Sequence, residues 1–242
     1  MVWLWRSHMT TDPGEIADLI AALDHSDKPT IRAAVDKLIT LAATSAELTD
    51  ALNDRLQAAH HKNYWPVAYV LGHQSQPSGV VVRTLLSALD HREPDIRWAN
   101  GLLLVRIAQR EPAVVPLLVS LCETGSSNQK RMALYCLRDL ALSDAETRAA
   151  MLKRLDDDEA TVRVAAVTSM KVRTDVDATV RQKLLTIYLR DTDDRVKNAV
   201  AVTLASLGSP AEEFLTALRE ASTCANAQIK KSADAALKIL QK

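Results

Sequence analysis

The chain has 242 residues, 48% of them apolar, and its 30 basic residues balance 30 acidic ones, leaving no formal net charge. Six glycines and 4% aromatic residues argue against a sheet-rich or phosphate-loop enzyme and for a helix-dense chain. The neutral balance, with no long basic run, argues against a dedicated nucleic-acid binder, and no apolar run reaches the length needed to span a membrane.

In chain order, the first stretch, MVWLWRSHM (1–9), has an apolar patch too short for a signal peptide and no small-residue cleavage site. Ser7-His8-Met9 reads as a cloning scar, so residues 1–12 are expected to be a tag or a disordered N-terminus, with 13–242 a single array. From there, pairs of helical patterns follow one another. The first helix of each pair is expected over 15–25, 46–61, 80–91, 113–123, 146–155, 177–190 and 211–222, with apolar residues returning at helical spacing, as in Ile16, Leu19, Ile20 and Leu23. Short polar turns follow, with Asp27, Asp158 and Asp193 the expected N-caps and Pro29 and Pro94 in first-turn positions, where a missing N–H costs little.

The second helices share an anchor: a basic residue, usually after an apolar one, with a small residue two places on. It reads Ile31-Arg32-Ala33-Ala34, Ile96-Arg97-Trp98-Ala99, Lys130-Arg131-Met132-Ala133, Val162-Arg163-Val164-Ala165, Val196-Lys197-Asn198-Ala199 and Ile229-Lys230-Lys231-Ser232; Trp65-Pro66-Val67-Ala68 keeps the frame without the base. The anchors fall at 32, 66, 97, 131, 163, 197 and 230, at intervals of 34, 31, 34, 32, 34 and 33. A near-fixed period of this size marks a stacked-repeat protein. The small residue two after the base, alanine in six repeats and Ser232 in the seventh, marks a close approach of backbones.

An acidic turn followed by a Val/Ile-Arg-x-Ala helix, after a leucine-rich helix, resembles the HEAT repeat, as in LDDDEATVRVAAV (155–167), LRDTDDRVKNAV (189–200) and LDHREPDIRWAN (89–100). Pro116 fits the mid-helix proline of many HEAT first helices, whereas Pro66 departs from the pattern. The resemblance, which extends to phycobilin-lyase-type repeats, implies an all-α fold: a right-handed α-solenoid of about seven HEAT-like helical hairpins. It also implies that Arg32, Arg97, Arg131, Arg163, Lys197 and Lys230 reach acidic or carbonyl groups of a neighbouring repeat along the turn edge. Function does not follow from such a fold.

Residues that could carry chemistry have plainer uses. The acidic turns Asp156-Asp157-Asp158-Glu159 and Asp191, Asp193 and Asp194 lack the glycine and distal glutamate of a calcium loop, and capping explains them. His25, His60 or His61, and His91 end successive first helices; repeats about 8–10 Å apart cannot bring three of them to one zinc at about 2 Å, so exposed histidines favoured by the helix dipole are expected. Deoxyhypusine hydroxylase, a HEAT-repeat enzyme, carries its ligands as His-Glu pairs, and no histidine here precedes a glutamate. Cys122, Cys136 and Cys224 are widely spaced, form no metal-type pair, and suit small buried hydrophobes in a reducing, cytoplasmic compartment. No catalytic, metal or cofactor site is therefore expected.

One surface remains. Positions one, four and eight after the anchor are expected on the concave side, and in the middle repeats they are largely apolar: Val67 and Val70; Trp98 and Val105; Met132 and Tyr135; Val164 and Val167. Contiguous apolar surface marks a partner site. The sequence thus reads as a non-catalytic scaffold that takes a protein or peptide in this groove, with no nucleic acid and no membrane. An enzyme subunit such as a lyase-like chromophore handler, or a self-assembly module, are the alternatives; oligomeric state is left open.

Overall fold

The computed structural model describes residues 12–58, 64–171, 176–208 and 212–241. The fold is all-α: fourteen α-helices, and no strand among the described residues. Contacts divide the chain into two compact units, residues 1–88 and 89–242.

The first unit contains α1 (Pro13–Ala22), α2 (Lys28–Ala42), α3 (Ala46–Ala58), α4 (Trp65–Gly72) and α5 (Gly79–Ala88). Its second-of-pair helices α2 and α4 pack on each other, α1 lies on α2, and α3 and α5 lie on α4. Asp27 caps α2, its Oδ2 accepting from the Thr30 N–H at 3.0 Å, and Pro29 stands in the first turn, as expected. Pro66 is tolerated for the same reason: α4 begins at Trp65, so the proline falls at a position with no helical N–H bond to lose, and the helix is short.

The second unit contains α6 (Pro94–Arg110), α7 (Val115–Thr124), α8 (Ser127–Leu140), α9 (Ala145–Lys153), α10 (Ala160–Met170), α11 (Ala178–Arg190), α12 (Asp194–Leu207), α13 (Glu212–Ser222) and α14 (Ala227–Leu240). The helices α6, α8, α10, α12 and α14 form one continuous row, each packed on the next, and α7, α9, α11 and α13 back it as a second layer. The core between the layers is aliphatic, with Leu104, Leu118, Leu134, Leu137 and Leu184 fully buried.

Local chemistry sets the boundaries. Ser126 and Gln129 form a reciprocal capping box at α8. Asp144, Asp177, Asp193 and Asn226 cap α9, α11, α12 and α14. Two expectations shift. Asp158 is not a cap; Asp157 supports that turn, its Oδ1 accepting from the Glu159 N–H at 3.1 Å. Pro116 lies in the first turn of α7, after a 3-10 turn at Pro112–Val114, because a proline is least costly where no intrahelical bond is owed.

Of the seam positions, Ala34, Ala68, Ala133 and Ala165 are buried, while Ala99, Ala199 and Ser232 are half-buried. In the third repeat the tightest approach has moved to Gly101, where an added Cβ would lie 3.1 Å from Met132 Cε and 3.5 Å from Cys136 Sγ. No described helix is long and apolar enough to cross a membrane.

Candidate functional site

The groove residues divide sharply. Val67 and Val70 on α4 are buried, and so, within the second unit, are Val105, Met132 and Val167. They offer no free surface. Tyr135 and Val164 are half-buried, and Trp98 is 41% exposed. The reason is the packing of second helices against one another, seen where Gly101 of α6 closes on Met132 and Cys136 of α8. In α6 the outward stripe runs through Trp98, Leu102, Arg106 and Gln109, at four- and three-residue steps on one face. Leu102, 51% exposed, is thus a surface residue that the position count missed. Its signal was available: it lies one helical turn beyond Trp98, among residues that are otherwise aliphatic.

The exposed aromatic is held in place. The Trp98 ring stacks on Tyr135 of α8, centroids 5.1 Å apart and planes 17° from parallel. The Arg138 guanidinium lies 5.0 Å from the centroid of the Tyr135 ring and is oriented by Asp139, Nε to Oδ1 at 2.7 Å. A stacked aromatic pair contributes about 0.5–1.5 kcal/mol beyond its buried area, which favours this placement of the Trp98 ring. Burial raises the Tyr135 hydroxyl above its ordinary pKa, against the pull of Arg131 and Arg138. The hydroxyl therefore stays neutral and the ring presents a cation-bordered apolar face.

The remaining polar candidates are structural. His25 and His91 each turn Nδ1 back to a backbone N–H, that of Asp27 at 3.0 Å and that of Glu93 at 3.1 Å. His60, His61 and the residues before Asp12, with Trp3, Trp5 and His8, lie outside the described residues. Among the described residues no three His, Cys, Asp or Glu side chains converge as metal ligands. Cys122 and Cys136 are buried, and desolvation pushes both thiols up to about 12. These two are small hydrophobes, not nucleophiles.

Ladder expectations are met in part. Arg163 ties its repeat to the next through Asp191, Nε to Oδ2 at 2.8 Å and Nη2 to Oδ1 at 2.9 Å. In the fourth repeat the tie is made by Lys130, not Arg131, whose neighbour's Nζ reaches Asp157 Oδ2 at 3.1 Å. Among the described residues, Arg97 bonds the carbonyls of its own turn, those of His91 and Arg92.

No family model and no curated protein matches the chain. Among solved structures it is similar to human deoxyhypusine hydroxylase in complex with glycerol, at 14% identity over 94% of this chain and 96% of that one, TM-score 0.38. It is also similar to a designed armadillo repeat protein in complex with the peptide (KR)4, at 17% identity over 93% and 99%, TM-score 0.36. A third likeness is to the complex of CpcE and CpcF of phycocyanin lyase from Nostoc sp., at 17% identity over 99% and 100%, TM-score 0.38. All are distant, and the two-layer helical-repeat architecture stands on the packing described above.

Proposed function

We propose that the protein is a non-catalytic, intracellular binding scaffold that takes a polypeptide partner on the Trp98–Leu102–Tyr135 surface of its second unit, with Val164 at its margin. The observation that carries this reading is the exposure of Trp98 and Leu102 side by side on α6, with Trp98 stacked on Tyr135. A tryptophan displayed on a rigid apolar platform is the kind of residue on which binding energy concentrates, and truncating such an anchor costs about 2 kcal/mol or more. The buried members of the groove, Val67, Val70, Val105, Met132 and Val167, offer no surface to a partner.

The test is Trp98→Asp. It is expected to leave the melting temperature within a few degrees of the parent, since the ring lies on the surface, while abolishing capture of the partner by immobilised protein. Undiminished capture by a folded Trp98→Asp variant would place the binding site elsewhere. Absorbance of a bound pigment in purified protein would favour the chromophore-handling alternative.

A further inference from the structure

In the second unit, the arginines that open the second helices of the third and fifth repeats close their own turns alike and differ beyond them. Arg163 closes its own turn, Nη1 donating to the carbonyls of Asp157 and Asp158 at 2.8 and 3.0 Å, and then holds both carboxylate oxygens of Asp191, 28 residues on, with Nε and Nη2. Asp191 is the C-cap of α11, its N–H on the Ile187 carbonyl at 2.8 Å. Arg97 begins identically, Nη1 donating to the carbonyls of His91 and Arg92 at 2.6 and 3.1 Å. At the matching place, 28 residues on, stands Gly125, the C-cap of α7, with its N–H on the Leu121 carbonyl at 3.0 Å. The backbone matches too: φ −73° and ψ 167° at Gly125, φ −63° and ψ 143° at Asp191. What is missing is the carboxylate.

Arg97 is only 7% exposed, and its buried Nε has no hydrogen-bond partner among the described residues. Leaving such a donor unmet inside a protein is costly. Asp90 acts on the Arg97 charge from nearby, but its Oδ1 is taken by Ser126 Oγ at 2.6 Å and Asn128 Nδ2 at 3.3 Å. A second cation adjoins: Arg131 depresses the Arg97 pKa after burial itself, and makes one long bond, 3.4 Å to Asn128 Oδ1. Arg154 also has an unbonded Nε, but its Nη1 holds Asp157 at 2.9 Å, so its charge is answered. Nor can the chain fill the place by a simple side chain at residue 125, where a Cβ would lie 2.6 Å from the Leu121 carbonyl oxygen and 2.9 Å from Gln129 Cβ.

We propose that Arg97 and Arg131 form a receptor for a side-chain carboxylate of a partner polypeptide, which takes on Arg97 the place that Asp191 takes on Arg163. The chemistry is that of the guanidinium fork, which matches a planar carboxylate through two parallel bonds. The proposal rests on the reading of the neighbouring platform as the partner's site: Trp98 follows Arg97 in sequence, and Tyr135 lies one helical turn beyond Arg131. The partner segment therefore carries an acidic residue close to an apolar anchor.

Arginine Nε–Hε and tryptophan indole resonances of the full-length, nitrogen-15-labelled protein test this. The probes are the capped tetrapeptide Leu-Glu-Glu-Leu, its Leu-Gln-Gln-Leu counterpart, and inorganic phosphate. The glutamate peptide is expected to shift the Arg97 resonance saturably while Arg163, already filled, stays put; the glutamine peptide and phosphate bind at least about tenfold more weakly, and Arg131→Gln weakens the glutamate peptide by about tenfold. Arg131 has little else to hold, so a thermal melt of that variant is expected to match the parent. An unmoved Arg97 resonance, or equal binding of the glutamine peptide, overturns the receptor. Equal binding of phosphate overturns its assignment to carboxylate. If the Trp98 indole shifts with both peptides while Arg97 does not, the platform stands and the receptor alone falls; a shift at Arg97 without one at Trp98 reverses that outcome.

Discussion

The fifth and third repeats place the same arginine in the same turn and surround it differently. Around Arg163, Nε, Nη1 and Nη2 are each answered from within the chain, and both members of the pair with Asp191 are shielded, their side chains 16% and 8% exposed. Around Arg97 the turn carbonyls are answered and the fork is not. One turn edge is complete, the other leaves a buried donor unmet, and that donor belongs to the residue before the exposed tryptophan. A periodic protein carries its own control: the repeat in which an interaction is complete shows what the departing repeat lacks.

The largest expected effect separates the two arginines. Arg163→Met strands the Asp191 carboxylate in a shielded position and is expected to destabilise by about 3 kcal/mol, as breaking a buried pair from one side does. Arg97→Met removes a desolvated charge together with its two carbonyl bonds, losses and gains that nearly offset, and is expected to cost no more than about 1 kcal/mol. Urea titrations with unchanged slopes measure both. Equal costs would mean that the two edges are not different in kind.

Acid sharpens the same contrast. Asp157 and Asp191 are each pushed upward by burial, but the first is overcome by the Glu159 N–H and Lys130 and the second by Arg163, so both titrate below the ordinary 3.8. A folded pKa below the unfolded one gives stability that is fully present above about pH 4 and is lost as pH falls through the folded values. Stability is expected to drop in that window, and Asp191→Asn to flatten the drop. In the third repeat the nearby Asp90 is held by Ser126 and Asn128 and not by Arg97, so Arg97→Met is expected to change the acid profile less than Asp191→Asn does.

Next in size is the seam. Ala165 is fully buried in α10, and Ala165→Phe is expected to overpack it at a cost of about 2 kcal/mol. Ala99, its counterpart in α6, is half-buried, and Ala99→Phe is expected to cost less than half as much, because the close approach there has moved to Gly101. Chemical denaturation of the two variants decides it.

These differences show what the sequence could and could not disclose. The period, the hairpins and the apolar seam were legible because each follows from one helix burying one face, a property of local spacing. The burial of Met132 and Val167 was not, since it depends on how a neighbouring second helix crosses, and no single helix records that angle. The same error hid Leu102. Gly125 was readable, standing where the period demands Asp191's equivalent, but its consequence was not: whether a neighbouring base is left unanswered depends on where Asp90 and Arg131 point their side chains.

The smallest expected effect on stability bears most directly on function. Leu102 and Thr168 hold the same place, five residues after Arg97 and Arg163, and in the fifth repeat the threonine simply returns its hydroxyl to the Val164 carbonyl. Leu102→Thr copies that finished surface onto the third repeat. A half-exposed leucine contributes little to folding, so the melting curve is expected to stay within about 0.5 kcal/mol of the parent, the helix-propensity difference included. Binding is expected to fall, because the threonine removes the apolar contact beside Trp98 while leaving its stack on Tyr135 untouched. Affinity for the Leu-Glu-Glu-Leu peptide, read from the Trp98 indole shift, measures this against an unchanged melt. An unchanged affinity would confine the anchor to the aromatic pair and remove Leu102 from the site.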